Sequence, residues 1–269
     1  MTTRPTASEG AFSVDGKVIV LSGAAGLIGS QVVSAFVDAG ARVFAVDRHA
    51  ELLEEKLGLG HETLITCAAD VASRESLIKA HQLLASRWGQ ADGLLNNAAT
   101  KSLNFFEPFE SFAVNEWNEV MAVNLTGAML CAQVFGSPMA ARGRGSIVNT
   151  LSIYGVVAPD QRIYEGSEYL GRTINTPAVY AASKAGLWGL TQYLAAYWGH
   201  KGVRVNAVTP GGIFSGQNDL FVENYSRRTP LGRMAETSDM VNAMQYLSSD
   251  AAKYVTGHNL IVDGGWTTW

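Results

Sequence analysis

Lys17-Val-Ile-Val-Leu-Ser22, then Gly23-Ala-Ala-Gly26-Leu-Ile-Gly29, then Ser30 to Ala39 closed by Gly40, then Arg42-Val-Phe-Ala-Val-Asp47: this stretch decides the fold. The first segment is an almost unbroken apolar run, as a parallel strand buried on both faces requires. The second is a glycine turn that opens a helix. The third is another strand with a carboxylate at its end. Strand, glycine turn, helix, strand and acid within about thirty residues is an arrangement that suits a dinucleotide. Glycines let the backbone approach a pyrophosphate, and the helix N-terminus offers unpaired N–H groups and a positive dipole end. Asp47 lies eighteen residues after Gly29, where a carboxylate can accept hydrogen bonds from an adenosine ribose.

The alternation continues along the chain. Helices are expected over 51–57, 73–88 (capped by Ser73), 116–141, 177–199 and 238–248. Pro138 should bend the long helix near its end. Strands are expected over 63–68, 93–96, 146–151, 203–208 and 259–262. Ser238 or Thr237 is expected to cap the last helix. Repeated strand–helix units imply an α/β fold: a single Rossmann-type, doubly wound parallel sheet of about seven strands with helices on both faces. The domain should run over 16–269, with 1–15 a loose N-terminal arm.

Composition limits the function classes. The 269 residues are 47 % hydrophobic and 16 % charged, with a formal net charge of −4. No basic block points to nucleic acid. The first ten residues carry no apolar stretch of the secretory kind, and no run of about 20 apolar residues stands out as a membrane helix. The expected location is the cytoplasm. Cys67 and Cys131 read as buried free thiols, and the five histidines show no metal-ligand spacing, so no metal site is expected.

The chemistry is expected between Ile147 and Lys184. Ile147-Val-Asn-Thr-Leu-Ser152 ends a strand on a serine, and Tyr180-Ala-Ala-Ser-Lys184 opens a helix. Pro177 suits the first helical turn, with Asn175 or Thr176 as the cap. Tyr180 and Lys184, four apart, share one helix face. An ammonium beside a phenol should lower the tyrosine pKa, so that the tyrosine passes a proton to or from an alcohol or carbonyl oxygen. Ser152 can hold that same oxygen. By itself Tyr-x-x-x-Lys is a common surface pair; the rest of the chain gives it weight.

Five separated signals agree: the glycine turn, Asp70-Val71, Asn96-Asn97-Ala98-Ala99, the Ser152/Tyr180/Lys184 set, and Pro210-Gly211. On these the chain resembles the classical short-chain dehydrogenase/reductases from about Lys17 to Trp266. The resemblance implies hydride transfer between a nicotinamide cofactor and an alcohol/carbonyl pair. Tyr180 would be the acid–base, Ser152 would polarise the substrate oxygen, and Lys184 would bind the nicotinamide ribose. Asn124 would hold a water in a proton relay. Gly23, Gly26, Leu27, Ile28 and Gly29 would cradle the pyrophosphate. Asp47 and Arg48 would meet the adenosine ribose, Asp70 and Val71 would flank the adenine, and Asn97, Ala98 and Ala99 would line the ribose side. Pro210, Gly211 and Ile213 would meet the nicotinamide. The acid at Asp47 favours NAD over NADP, with Arg48 as the complication. A homotetramer or homodimer is implied, and Ala181, Ala185 and Gly189 make a smooth helical stripe for it.

Three departures matter, the smallest being that the usual Asn-Asn-Ala-Gly reads Asn96-Asn97-Ala98-Ala99 here. The middle glycine sits at Gly26 rather than at Leu27, which keeps an epimerase or dehydratase reading open; a dinucleotide-sensing regulator is a further alternative. The gap from Ser152 to Tyr180 is 28 residues, about twice the usual length for such proteins. The insertion, 156–176, must leave and re-enter the sheet at the ligand-binding ends of the strands. It is polar and aromatic, which points to a polar small-molecule substrate such as a sugar, sugar acid or other hydroxy compound, contacted by Tyr154, Arg162, Tyr164 and Glu165. A solvated loop or a subunit contact is the plainer alternative. Similar insertions occur in relatives that modify bacterial surface sugars or flagellin, and gluconate-type polyol dehydrogenases are also similar. A mobile lid is expected over 212–235, where Arg227 or Arg228 either meets an anionic substrate or is solvated or paired.

Overall fold

The computed structural model describes residues 10–58, 60–169 and 171–269; residues 1–9 of the expected arm lie outside these. Seven parallel strands form one sheet: β1 (Val18–Ser22), β2 (Arg42–Asp47), β3 (Leu64–Ala68), β4 (Gly93–Asn96), β5 (Gly145–Thr150), β6 (Val203–Pro210) and β7 (Asn259–Val262). Their order is β3-β2-β1-β4-β5-β6-β7. The order reverses between β1 and β4, and a doubly wound sheet opens its ligand crevice at that point, beyond the carboxyl ends.

Strand alternation feeds two cores. Ile19, Leu21, Val43 and Ala45 point to the face covered by α1 (Leu27–Asp38) and α7 (Thr237–Ser248), through Phe36, Met240 and Met244. Val18, Val20, Phe44 and Val46 point to the other face, covered by α3 (Arg74–Trp88), α4 (Val114–Arg142) and α5 (Ala178–Gly199), through Leu84, Phe135 and Trp198. A short α2 (Ala50–Leu57) follows β2, with Leu53 in the first core. Both faces are apolar, so these strands read as continuous apolar runs.

Several local expectations change. Residues 10–15 are not loose: Val14 is fully buried, Phe12 lies against Tyr246, and the Ala11 carbonyl accepts from the Ala251 N–H. Glu236, not Ser238 or Thr237, caps α7, in a reciprocal capping box with Asp239. Asn175 and Thr176 do not cap α5. Asn175 Nδ2 donates to the Phe106 carbonyl (2.7 Å), and Thr176 Oγ1 is bonded to the Tyr164 hydroxyl (2.5 Å). Pro138 cannot donate within the helix, and a π-helical segment, Ala132–Gly136, precedes its turn. By length and composition α4 is apolar enough to cross a membrane, against expectation; here Cys131, Phe135 and Met139 sink into the sheet core. Cys67 is half-buried rather than fully buried.

Above the sheet, the insertion and the expected lid pack as one body. The lid contains a helix, α6 (Asp219–Arg228), capped by Asn218, and the insertion a two-rung hairpin, Glu168–Tyr169 with Arg172–Thr173. Ile163 of the insertion, Tyr225 of α6 and Trp266 near the C-terminus share a small buried cluster. Trp266 stacks on Tyr225 at 4.3 Å, and Tyr164 stacks on Phe221 at 5.5 Å. Asn218 Nδ2 donates to the Glu168 carbonyl, which joins hairpin and helix cap directly.

Candidate active site

A cavity of about 890 Å³ lies at the switch point. Gly23, Gly26, Leu27, Ile28 and Asp47 line one end; Ser152, Tyr180 and Lys184 stand at its centre; Tyr154, Tyr164 and Phe221 line the other end. Asn97, Ala99, Pro210, Gly211 and Ile213 complete the expected set on its wall. The other end thus belongs to the insertion and α6.

The turn after β1 is shaped for close approach. Gly23 has φ +70°, and a Cβ there would lie 2.7 Å from the Ala98 Cα. A Cβ on Gly29 would lie 2.1 Å from the Gly23 carbonyl oxygen, so α1 rests directly on the turn. Gly26 is the N-cap of α1 and offers no side-chain cap, which leaves the first-turn N–H groups without a side-chain partner. Asp47 Oδ2 accepts from the Ala25 N–H (3.1 Å), holding the acid against the turn. A backbone cradle that excludes Cβ atoms, an uncapped helix N-terminus and an acid at the end of β2 fit a dinucleotide.

The next strand end is tied into the same frame. Ser22 Oγ accepts from the Asn97 and Ala98 N–H groups (3.2 and 3.3 Å), and Asn97 Nδ2 donates to the Gly23 carbonyl. Behind it, Asn96 Nδ2 donates to Asn149 Oδ1 and Asn149 Nδ2 to Thr191 Oγ1, both at 2.8 Å. This buried amide ladder locks β4 to β5 and to α5.

Ser152 lies just past β5 and caps the short turn Ile153–Gly155, accepting from the Tyr154 N–H (3.2 Å). That turn presses on α5: a Cβ on Gly155 would meet the Lys184 backbone carbon at 2.8 Å. Gly155 therefore sets the distance between the serine loop and the tyrosine–lysine helix. Only its position three residues after Ser152 hints at this in the sequence.

Lys184 is almost fully buried, and its Nζ donates to the Thr150 carbonyl (2.8 Å) while lying 5.8 Å from the centre of the Tyr180 ring. Burial lowers its pKa to about 8. The Tyr180 pKa is raised, not lowered as expected. Burial is the larger cause, a hydrogen bond with Ser152 pulls the other way, and Tyr164 adds to the rise. The expectation gives Lys184 the decisive part; here its ammonium donates to a backbone carbonyl, and burial of the phenol sets the direction.

Other expected residues stand apart from the cavity wall. Asn124 sits in a π-helical segment of α4, Ala122–Gly127, with Oδ1 accepting from the Thr100 N–H (2.9 Å) and Nδ2 donating to Ser183 Oγ (3.2 Å). Gly29, Arg48, Asp70, Val71 and Ala98 do not line the cavity. Arg48 is exposed and donates to His49, and Val71 packs against Gly127. Arg162 and Glu165 also stay off the wall, because Arg162 is held by Asp160 (2.8 Å) on the outer side of the insertion. Arg227 and Arg228 are paired, with Glu223 and Asp160 respectively.

Sequence reasoning missed Glu116. Its buried carboxylate accepts from the Asn104 N–H (3.0 Å) and from Asn104 Nδ2 (2.6 Å). A hydrogen bond with Ser102, the largest cause, holds its pKa below the ordinary carboxylate value. This anchors the loop whose Phe105 packs edge-on against Tyr180 at 6.1 Å. The partners are the loop's own backbone and amide, which no spacing rule announces.

A seven-stranded parallel sheet with a dinucleotide cradle at its switch point, and Ser152, Tyr180 and Lys184 gathered in the same cavity, is the arrangement of a nicotinamide-dependent oxidoreductase of the short-chain kind. The family model described as Enoyl-(Acyl carrier protein) reductase matches residues 23–267, and the chain belongs to that family, within the short-chain dehydrogenase/reductases. It is similar to a D-threitol dehydrogenase of Mycolicibacterium smegmatis, 34 % identical over 95 % of each chain. A short-chain dehydrogenase of Leptospira borgpetersenii, solved with bound NAD+, superposes with a TM-score of 0.84 and 36 % identity over 96 % of this chain and 95 % of that one. A gluconate 5-dehydrogenase of Burkholderia cenocepacia, solved with NADP and tartrate, gives a TM-score of 0.83 and 28 % identity over 97 % and 98 %. The protein is an oxidoreductase acting on CH–OH groups of hydroxy compounds with a nicotinamide dinucleotide.

Proposed function

We propose that this enzyme oxidises a polar hydroxy compound, of the sugar, sugar acid or polyol kind, with NAD as its preferred cofactor. One observation carries the reading: Ser152, Tyr180 and Lys184 meet at the centre of a single cavity, between a dinucleotide cradle and a wall of tyrosines, Tyr154 beside the serine turn, Tyr164 of the insertion and Tyr225 of α6. A nicotinamide dinucleotide held by the Gly23–Gly29 turn and Asp47 would supply the hydride acceptor for the carbon bearing the hydroxyl. Tyr180 would act as the phenolate, its own proton first released to solvent, and would then take the hydroxyl proton; Ser152 would hold the oxygen as its bond order rises, and Lys184 would hold the ribose beside Tyr180. Asn124 fixes the Thr100 backbone and Ser183, and so positions both walls around Tyr180. Threitol and gluconate dehydrogenases among the relatives support the polar substrate. Asp47 supports NAD, since a carboxylate accepts from ribose hydroxyls and repels a 2′-phosphate. The test is a panel of polyols, sugars and sugar acids with NAD and NADP, read by cofactor absorbance. Turnover at least tenfold more efficient with NAD is expected; none on any polar hydroxy compound defeats the reading.

We also propose a closed oligomer. Ala185 and Gly189 are exposed on α5, and Tyr193 and Tyr197 stack on each other beside them, 62 % and 53 % exposed. Small residues permit close helix approach and the aromatic pair supplies apolar area. Ala181 is half-buried and contributes less. A dimer or tetramer mass in solution is expected; a monomer at micromolar concentration contradicts it.

A further inference from the structure

The body above the cavity also limits what charge a substrate can carry. This step rests on the oxidoreductase reading. A sugar acid is best held by an arginine fork, which meets a carboxylate through two parallel hydrogen bonds. The insertion and α6 carry four arginines; Arg172 is exposed on the hairpin and off the cavity wall, and the other three are bound elsewhere. Arg162 makes both bonds of its fork to Asp160 (2.8 and 2.9 Å). Arg228 reaches the same carboxylate at 3.3 Å and lies 5.1 Å above the Trp266 ring. Arg227 is bound to Glu223 one helical turn away. None of them lines the cavity.

Two charged side chains do reach the wall beyond Tyr180, and they have opposite sign. Lys101 lies over the Phe105 and Phe106 rings, at 5.8 and 5.6 Å, and Glu168 lies on the hairpin. The two charges offset each other, so the wall offers an incoming carboxylate no net attraction.

Hydroxyls make up the rest. The Tyr154 and Tyr164 hydroxyls lie 3.3 Å apart, and the Tyr164 hydroxyl lies 2.5 Å from Thr176 Oγ1. Three hydroxyls hold three donors, and two mutual bonds use two of them. One O–H and several lone pairs remain for a ligand. Burial raises the Tyr154 pKa, so its phenol stays neutral and keeps its proton. An alcohol donates and accepts, and so can match both offers. A carboxylate only accepts.

We infer that the substrate is an uncharged polyol rather than a sugar acid, with its far hydroxyls against the Tyr154–Tyr164–Thr176 chain. The test compares alditols of four and six carbons with aldonates of the same length, using the intact enzyme and both dinucleotides. Alditols should show kcat/KM at least about tenfold higher. Glu168→Gln should narrow that gap by favouring the aldonates, and Tyr164→Phe should raise KM for the alditol with dinucleotide Kd unchanged. Aldonates turned over equally well or better overturn the inference and leave the oxidoreductase reading standing. No turnover of either class with either dinucleotide overturns both.

Discussion

The two ends of the cavity recognise by different means. Around β1 and β2 the wall is backbone: a turn at Gly23 into which no Cβ fits, an uncapped helix N-terminus, and one acid fastened to the Ala25 N–H. Under the insertion and α6 the wall is side chains: tyrosines, a threonine and a glutamate, held in place by a second tier of rings and ion pairs. A backbone wall tolerates little change and serves one kind of ligand. A side-chain wall can be rebuilt one residue at a time without disturbing the sheet. The difference teaches where cofactor binding and substrate choice can be separated by mutation.

Tyr180 is where the two ends meet, and its loss should have the largest effect. Tyr180→Phe keeps the ring and its edge contact with Phe105 but removes the proton. A positioned acid–base is worth ~10²–10⁴ in rate, so kcat should fall by that much while dinucleotide Kd stays level. Near-normal turnover would show that neither end is arranged around this phenol.

The comparison is broken next by loosening one end only. Ile163 is 5 % exposed in the small cluster that joins the insertion to α6. Truncating such a side chain to alanine costs about 2–5 kcal/mol in a core, and here the cost falls on the local packing of the insertion. Ile163→Ala should raise KM for the hydroxy substrate and open the insertion to protease, with dinucleotide affinity unchanged. A matching loss of dinucleotide affinity would mean that the two ends are one mechanical unit.

The same contrast explains what could be read in the chain. The cradle was legible because its requirement is local: glycines within seven residues, followed by an acid at the end of the next strand. The serine, tyrosine and lysine were legible by residue type and order. Arg162 and Glu165 were not placed correctly, although their loop was. Where Arg162 turns is set by Asp160, which also engages Arg228, 68 residues further on. The Tyr180 pKa was misjudged for a similar reason, since burial is a property of the assembled site and not of Tyr-x-x-x-Lys.

Lys184 sharpens the comparison through stability. It is a buried cation at the floor of the site, with its pKa lowered by burial to about 8 from an ordinary 10.5. Between those values the unfolded chain keeps the proton that the folded chain has lost. Unfolding then takes up a proton, and stability rises with pH across that window. Below it both states are protonated, and the folded protein carries the full cost of a buried ammonium. Lys184→Met removes the charge. The stability of the native enzyme relative to this variant should climb by ~1–3 kcal/mol from pH 8 to 10.5, measured by denaturant midpoints in the absence of dinucleotide. A difference that stays flat with pH would mean that the ammonium is better solvated than its burial implies.

The smallest effect is expected from the acid at the backbone end. Asp47 Oδ2 holds the Ala25 N–H, and the Oδ1 atom accepts from the His49 N–H (3.2 Å). Asparagine keeps an acceptor for the turn and removes the charge. Asp47→Asn should therefore leave overall dinucleotide affinity nearly level and shift only the choice between NAD and NADP. A charged hydrogen bond contributes about 1.5–3 kcal/mol, and part of it survives in the amide, so the NAD preference should narrow by roughly tenfold. Arg48 gives the internal control. It is exposed, turned to His49 and absent from the cavity wall, so Arg48→Ala should leave the ratio of kcat/KM values for the two cofactors unchanged. If Arg48→Ala moved that ratio and Asp47→Asn did not, discrimination would lie with the exposed arginine, and the backbone end would be as much a side-chain wall as the substrate end.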